Sequence, residues 1–160
     1  MRKILVIGAG RSSVTLIKFL LNHSKTHSWL VTVADSSIDL AERSVMNHVN
    51  GVAIQFNVLD KQQREDEIST HDIVISMLPA SMYIIVAKDC VRFCKHMVTA
   101  SYVSDEMAKL HNSSKKSGVL ILNEIGLDPG IDHMSAMRII DNIKKMGGEI
   151  ISFKSFCGGL

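Results

Sequence analysis

Runs of apolar residues recur along the whole chain, separated by glycine-containing turns and by segments with helical periodicity. The first run, ILVI at residues 4–7, has no polar break, which is typical of a strand buried on both faces of a parallel sheet. Glycines at positions 8 and 10 follow it, and then VTLIKFLL repeats its apolar residues at helical spacing. The pattern predicts a strand, a glycine turn and a helix at the start of the chain.

The rest of the chain repeats this alternation of strand and helix. Further strands are predicted at residues 28–35, 51–58, 73–75, 96–101 and 118–126. Helices are predicted at residues 36–49, 60–68, 81–95 and 105–118, and from about Ile131 onward, with 60–68 as a short solvated helix. Because parallel strands need crossover connections, the series predicts an α/β fold, a doubly wound parallel sheet of the Rossmann type with helices on both faces.

The first glycine turn is a candidate anion-binding site. Residues 8–13 read G-A-G-R-S-S, so Ser13 stands where a dinucleotide-binding loop has its third glycine. The first N–H groups of the following helix point at the turn, and the helix dipole favours negative charge there. A strand, turn and helix that bind nothing can show the same pattern, so the motif needs support from the rest of the chain.

Asp35 gives that support. It ends the predicted second strand, where a dinucleotide-binding unit places a carboxylate for the adenosine ribose, although an acid here can also cap the next helix. A carboxylate repels the 2′-phosphate of NADP, and no lysine or arginine lies between Asp35 and Arg43, so NAD is predicted in preference to NADP. Methyltransferases that use S-adenosylmethionine also pair a glycine turn with an acid. Against them, MLPA and TASY follow two later strands at the ligand-binding edge of the sheet.

Composition narrows the classes of partner. The 160 residues are 46% hydrophobic with a formal net charge of +2, and no run of like charges indicates a nucleic-acid or membrane surface. The N-terminal apolar run is too short for a signal peptide or a membrane span. The three cysteines are an odd number without metal-type spacing, as suits a reducing compartment. We predict a cytoplasmic protein with a small-molecule partner, and no nucleic acid, membrane or metal.

Three segments together resemble a known family. VISMLPA, TASYVS and NEIGLDPGIDHM are similar to segments of the saccharopine dehydrogenase family, in particular its glutamate-forming reductases of lysine metabolism, and the likeness extends to FCGGL at the end of the chain. The resemblance implies an oxidoreductase acting on the CH–NH group of saccharopine, which it interconverts with L-glutamate and 2-aminoadipate semialdehyde using NAD(P). It implies a dinucleotide-binding domain at residues 1–130 and the beginning of a truncated substrate domain at 131–160.

The resemblance also implies roles for single residues. Asp35 stands where NADP-dependent members carry an arginine, so the choice of cofactor transfers less well than the reaction. Substrate contacts are implied for Ser101, Tyr102 and Asp128, with Asp128 and Tyr102 as catalytic candidates. Cofactor contacts are implied for Gly8, Ala9, Gly10, Arg11, Ser12, Ser13, Asp35, Ser36, Asn57, Val58, Met77, Leu78, Pro79, Ala100, Leu127, Asp128 and Pro129.

Two other functions stay open at this stage: a non-enzymatic NAD(H) sensor, and a related imine reductase acting on polyamine-type substrates. A substrate with several carboxylates needs arginine side chains to hold it, and after Arg92 the chain has only Arg138. We therefore expect the 160 residues alone to be inactive, with a homodimer formed through the missing domain.

Overall fold

The computed structural model describes residues 1–156. The part of the FCGGL motif after Phe156, which begins with Cys157, lies outside the described residues. Six parallel strands form one sheet in the order β3-β2-β1-β4-β5-β6. The strands are β1 Arg2–Ile7, β2 Trp29–Asp35, β3 Gly51–Gln55, β4 Ile73–Ser76, β5 His96–Thr99 and β6 Ile121–Leu122.

The helices lie on both faces of the sheet, which confirms the predicted doubly wound α/β fold. One 3₁₀ turn, Arg11–Ser13, leads into the first helix. The predicted helix at 105–118 is two short helices that meet at Leu110. No helix within residues 1–156 is both long and apolar enough to cross a membrane. The helices are α1 Val14–His27, α2 Ile38–Val45, α3 Lys61–Thr70, α4 Tyr83–Arg92, α5 Asp105–Lys109, α6 His111–Lys116 and α7 Ile131–Lys145.

Two apolar layers hold the helices against the sheet. On one face Leu5 and Met97 pack with Val86 of α4, and on the other Val33 packs with Leu21 of α1. Each of these side chains is almost completely buried, and full burial of a side chain of this size contributes about 1.5–3 kcal/mol. In α7, by contrast, no residue is buried.

Strands β3 and β6 are shorter than the apolar runs predicted. After Gln55 the chain leaves the sheet because polar side chains take over its N–H groups: Asn57 N–H donates to Gln63 Oε1 at 2.8 Å, and the Asp60 carboxylate accepts from Gln63 N–H at the start of α3. Strand β6 pairs with β5 at only two positions, and two residues beyond it Glu124 has a left-handed backbone with φ +63°.

The order of strands reverses between β1 and β4. The chain runs outward from β1 to β3 on one side and from β4 to β6 on the other, so the carboxyl ends of β1 and β4 lie side by side at the reversal. In open α/β sheets this crevice is where ligands bind.

Candidate nucleotide-binding site

Glycine stands at positions 8 and 10 of the first loop for different structural reasons. Gly8 has φ +106°, and a Cβ there would lie 3.2 Å from the carbonyl oxygen of Met77, so the fold itself requires glycine. Gly10 has φ −71°, which any residue can adopt, and a Cβ there would meet nothing within 4 Å. The open space beside Gly10 is therefore room for a ligand rather than a demand of packing.

Two of the predicted loop contacts are used inside the protein. The Ser13 hydroxyl is buried and donates to the Gly10 carbonyl at 2.8 Å, and the Ala9 N–H donates to Asp35 Oδ2 at 2.7 Å. Arg11 and Ser12 are exposed at the start of the 3₁₀ turn. Gly10, Arg11 and Ser12 thus differ from Ala9 and Ser13, whose donor groups are bonded within the protein.

Asp35 connects the glycine loop to α2. Besides the bond from Ala9, its carboxylate accepts from the Ser37 N–H at 2.9 Å and from the Ser36 hydroxyl at 3.4 Å. The Ser37 side chain makes no cap bond of its own. Both interpretations of Asp35, as a ribose contact and as a helix cap, therefore have structural support. Its carboxylate lies at the rim of the crevice and also accepts from the N-terminus of α2.

A cleft of about 360 Å³ opens between the glycine loop, the end of β2 and the segments that follow β3 and β4. It brings together nine predicted cofactor contacts: Gly8, Gly10, Asp35, Ser36, Asn57, Val58, Met77, Leu78 and Pro79. It also includes residues that the sequence did not single out: Ile7, Ala34, Phe56, Leu59 and Met82. Ile7, Ala34 and Phe56 lie at the carboxyl ends of β1, β2 and β3, and that position was the signal available for these three.

A second cleft, of about 710 Å³, shares residues 77–79 with the first. The predicted residues Ser12, Ala100, Ser101 and Leu127 line it, together with Ser76, which was not predicted. The buried Ser76 hydroxyl oxygen has no hydrogen-bond partner within residues 1–156. Because both clefts share residues 77–79, they suit the two halves of one elongated ligand.

Residues 126–130 form a closed loop at the second cleft. The Gly126 N–H donates to the Pro129 carbonyl at 2.9 Å, and the Ile131 N–H donates back to the Gly126 carbonyl at 3.0 Å. At Gly130, φ is +145° and a Cβ would come within 2.3 Å of the Gly126 carbonyl oxygen. The loop presents Leu127 to the cleft and leaves Asp128 exposed beside it, whereas Pro129 is buried.

Tyr102 does not line either of these clefts. Its side chain is 61% exposed and borders a separate groove that it shares with Tyr83 and Glu106. Each of the two catalytic candidates is therefore next in sequence to a residue that lines the second cleft. Asp128 follows Leu127, and Tyr102 follows Ser101.

A cluster of two carboxylates and an imidazole adjoins the same loop; the sequence offered Asp128 and His133 as polar candidates here, but not their grouping with Asp132. Polar atoms of Asp128, Asp132 and His133 all lie within 4.8 Å of one another. Asp132 Oδ1 accepts from the Gly130 N–H at 2.9 Å and from His133 Nδ1 at 2.7 Å. The hydrogen bond to Asp132 and the negative charge of that carboxylate raise the pKa of His133.

A buried ion pair supports the first cleft from behind. Arg64 of α3 is only 8% exposed, and it donates to Asp89 Oδ2 of α4 at 2.5 Å and to the Val58 carbonyl at 2.6 Å. The prediction of a merely solvated helix at 60–68 is wrong, because one face of α3 carries this guanidinium and the buried Ile68 into the interior. The pair fixes Val58, which lines the cleft.

Comparison with known proteins identifies the domain. A family model described as the saccharopine dehydrogenase NADP binding domain matches residues 4–122, and one described as the saccharopine dehydrogenase C-terminal domain matches residues 126–160. The chain belongs to the saccharopine dehydrogenase family. The family resemblance seen in the sequence is thereby confirmed, and so is an NAD(P)-binding domain of the Rossmann type.

Individual members of the saccharopine dehydrogenase family match the whole chain. It is 37% identical, over its full length, to the NADP(+), L-glutamate-forming saccharopine dehydrogenase of Schizosaccharomyces pombe and covers 35% of that protein. It is 38% identical over 98% of its length to the alpha-aminoadipic semialdehyde synthase of Arabidopsis thaliana and covers 16% of that protein. The solved apo structure of the L-Glu-forming enzyme from Saccharomyces cerevisiae superposes with a TM-score of 0.81 and 31% identity, over 92% of this chain and 32% of that one. The chain thus spans about a third or less of each of these relatives.

Proposed function

We propose that the chain is the cofactor-binding part of an oxidoreductase that interconverts saccharopine with L-glutamate and 2-aminoadipate semialdehyde in lysine metabolism. The observation that carries this proposal is the pair of clefts that meet at residues 77–79. One suits the adenosine half of a dinucleotide, and the other leaves room where its nicotinamide and a substrate would meet. The identity to proteins named as L-glutamate-forming saccharopine dehydrogenases supports the choice of reaction.

The residues of the first cleft fit NAD(P). Phe56 and Val58 supply apolar surface for the adenine, and Asp35 lies where the ribose hydroxyls would donate. The space at Gly10 admits the pyrophosphate to the N-terminal end of α1, where the free N–H groups and the exposed Arg11 favour an anion. When bound, NAD(P) supplies the acceptor for the hydride that leaves the substrate.

We further propose that the chain prefers NAD to NADP. The Asp35 carboxylate is held on one side by the Ala9 N–H and on the other by the Ser37 N–H, so it cannot swing away from an incoming 2′-phosphate without losing both bonds. Relatives from Schizosaccharomyces pombe and Pyricularia oryzae are named for NADP(+). The preference is therefore a point at which we expect this chain to differ from them.

Asp128 is the best placed group for the substrate amine. Its carboxylate is exposed next to the second cleft, and no hydrogen bond to it is found among residues 1–156. A carboxylate there can accept the N–H of a secondary amine and hold the reacting carbon in place. Ser101 lines the cleft directly, and Tyr102 remains a candidate whose side chain would have to turn toward it.

We propose that residue 130 ends the dinucleotide-binding domain and that 131–160 begin a substrate domain. The match of the second family model from residue 126 supports this division. Exposed apolar side chains of α7 and of the segment after it, including Met134, Met137 and Phe153, are surface that such a domain would cover. A homodimer through that domain and a cytoplasmic location remain predictions, the latter differing from the Bos taurus relative, which is named as mitochondrial.

The test is oxidation of saccharopine by the full-length gene product, with NAD or NADP, followed at the absorbance of the reduced nicotinamide. Production of glutamate together with reduced cofactor would support the proposal. Binding of NADH without turnover of saccharopine would favour the non-enzymatic sensor. Turnover of a polyamine-linked substrate in its place would favour the related imine reductase.

A further inference from the structure

The segment at residues 101–103, which follows β5, is held by contacts from outside the sheet. The Ser101 carbonyl accepts from the Glu124 N–H at 3.1 Å, and the Val103 N–H donates to Glu124 Oε1 at 3.1 Å. The Tyr102 carbonyl accepts from the Tyr83 hydroxyl at 2.9 Å. Three successive residues of an irregular segment are therefore fixed by two residues distant in sequence.

Glu124 has a backbone conformation that is unfavourable for a glutamate. Its φ of +63° lies in the left-handed region, which glycine adopts without steric cost. The residue is exposed, so burial does not explain a glutamate at this position. Its side chain is what bonds the Val103 N–H, and a glycine could not make that bond.

Tyr83 makes the second attachment from a different element. Its ring is 3% exposed at the start of α4, within the apolar layer that faces β4 and β5. From this fixed ring the hydroxyl reaches out to the Tyr102 carbonyl. The ring anchors the residue in the core, and the hydroxyl finds its hydrogen-bond partner in the segment after β5.

We propose that Glu124 and Tyr83 are positioning residues that hold the backbone of residues 101–103, and with it the cleft-lining Ser101, in place for the substrate. This inference rests on the proposed function, in which the second cleft receives the substrate and Ser101 lines it. Neither residue lines the first cleft, proposed for the adenosine half of the dinucleotide, and Ser101 and Tyr102 are candidate substrate contacts, so the attachment should affect the substrate more than the cofactor.

The experiment compares Glu124→Gly, Glu124→Gln and Tyr83→Phe in the full-length gene product. Glu124→Gly suits the left-handed backbone but removes the acceptor, so we expect the KM for saccharopine to rise about tenfold with the KM for NAD unchanged. Glu124→Gln keeps an oxygen for the Val103 N–H and should restore the KM to within about twofold of the parent value. Tyr83→Phe keeps the ring and should raise the same KM by roughly three- to tenfold.

Asn47→Gly is a matched control, because Asn47 also has a left-handed backbone, with φ +54°, and follows α2 away from both clefts. It should leave both KM values unchanged. Equal rises in the KM for saccharopine and for NAD, or a loss of thermal stability in Glu124→Gly without any kinetic change, would overturn the inference. A Glu124→Gln variant as impaired as Glu124→Gly would also overturn it, because the negative charge of Glu124, and not its hydrogen bond to Val103, would then be what the substrate requires.

Amide hydrogen exchange on the 160-residue chain separates this inference from the proposed function. If the parent does not oxidise saccharopine, the proposed function fails, and the substrate role given to Glu124 fails with it. Exchange at the Val103 N–H then still tests the attachment itself. Protection lost in Glu124→Gly and kept in Glu124→Gln is the expected result, and unchanged protection in both variants would refute the attachment.

Discussion

Replacement of Asp35 by alanine should weaken both the glycine loop and the binding of NADH. The carboxylate accepts from the Ala9 N–H at 2.7 Å and from the Ser37 N–H at 2.9 Å. A hydrogen bond to a charged group contributes about 1.5–3 kcal/mol, and at this half-buried position water replaces part of what is lost. We therefore expect a total loss of about 1.5–3 kcal/mol in the free energy of unfolding, or roughly 4–8 °C in Tm for a chain of this size.

The same change should alter the two dinucleotides unequally. NADH loses its ribose acceptor as well as the ordered loop, so its Kd should rise roughly ten- to a hundredfold. NADPH is freed from the repulsion at its 2′-phosphate but meets the same loosened loop, so its affinity should change little. Because of the Ala9 bond, which the sequence alone did not indicate, removal of Asp35 is not expected to produce a tight NADPH binder.

Asp35→Asn separates the charge from the attachment. The amide keeps one oxygen for a backbone N–H, so the loss in Tm should be about half that of Asp35→Ala, while the negative charge is fully removed. The assay is calorimetric titration of the parent and of both variants with NADH and NADPH, together with thermal unfolding. A parent that prefers NADPH, or variants with an unchanged ratio of the two Kd values, would show that Asp35 does not face the ribose.

Three further outcomes follow from the site. In the full-length protein, Asp128→Asn should lower kcat/KM for saccharopine at least about tenfold with Tm unchanged. Unchanged kinetics would show that Asp128 has only a structural role in its turn. Asp132 should hold the pKa of His133 above the usual value of about 6.5, and titration of the imidazole by NMR would measure it. The pair should then stabilise the folded state below about pH 6.5, and this contribution should be lost as pH rises through the raised pKa of His133. Asp132→Asn should abolish the elevation, and an equal pKa in both proteins would refute it. Gly8→Ala should lower Tm by several degrees, because of its φ of +106° and the nearby Met77 carbonyl, and an unchanged Tm would contradict that strain.

The sequence predicted those parts of the fold that depend on the pattern of apolar residues and glycines within a short segment. Strands β1 and β4 are uninterrupted apolar runs because they lie in the middle of a covered parallel sheet, and they appear close to where they were predicted. The glycine loop and Asp35 are also local features of one strand, turn and helix unit. Strand ends were less predictable, since β3 stops where the side chains of Asn57 and Gln63 compete for backbone N–H groups.

The parts that the sequence did not predict depend on contacts between distant segments. Arg64 lies in the polar stretch KQQRED and is buried only because Asp89, 25 residues away, meets it from α4. Glu124 lies within the NEIGLDPGIDHM segment, but no pattern in the sequence indicates its contact with Val103, which forms where β5 pairs with β6. The hydrogen bond from Tyr83 to the Tyr102 carbonyl likewise joins residues that are 19 positions apart.

Residues 8–13 are proposed to bind the pyrophosphate of the dinucleotide, and calorimetric titration of NADH into the 160-residue chain and into Gly10→Val tests this binding. At φ −71° a valine is tolerated, and its Cβ would enter open space, so Tm should stay within about 2 °C of the parent value. The parent should bind NADH, and the variant should bind at least about tenfold more weakly because its side chain occupies the place of the phosphates. A variant that folds like the parent and binds NADH equally well would contradict the claim.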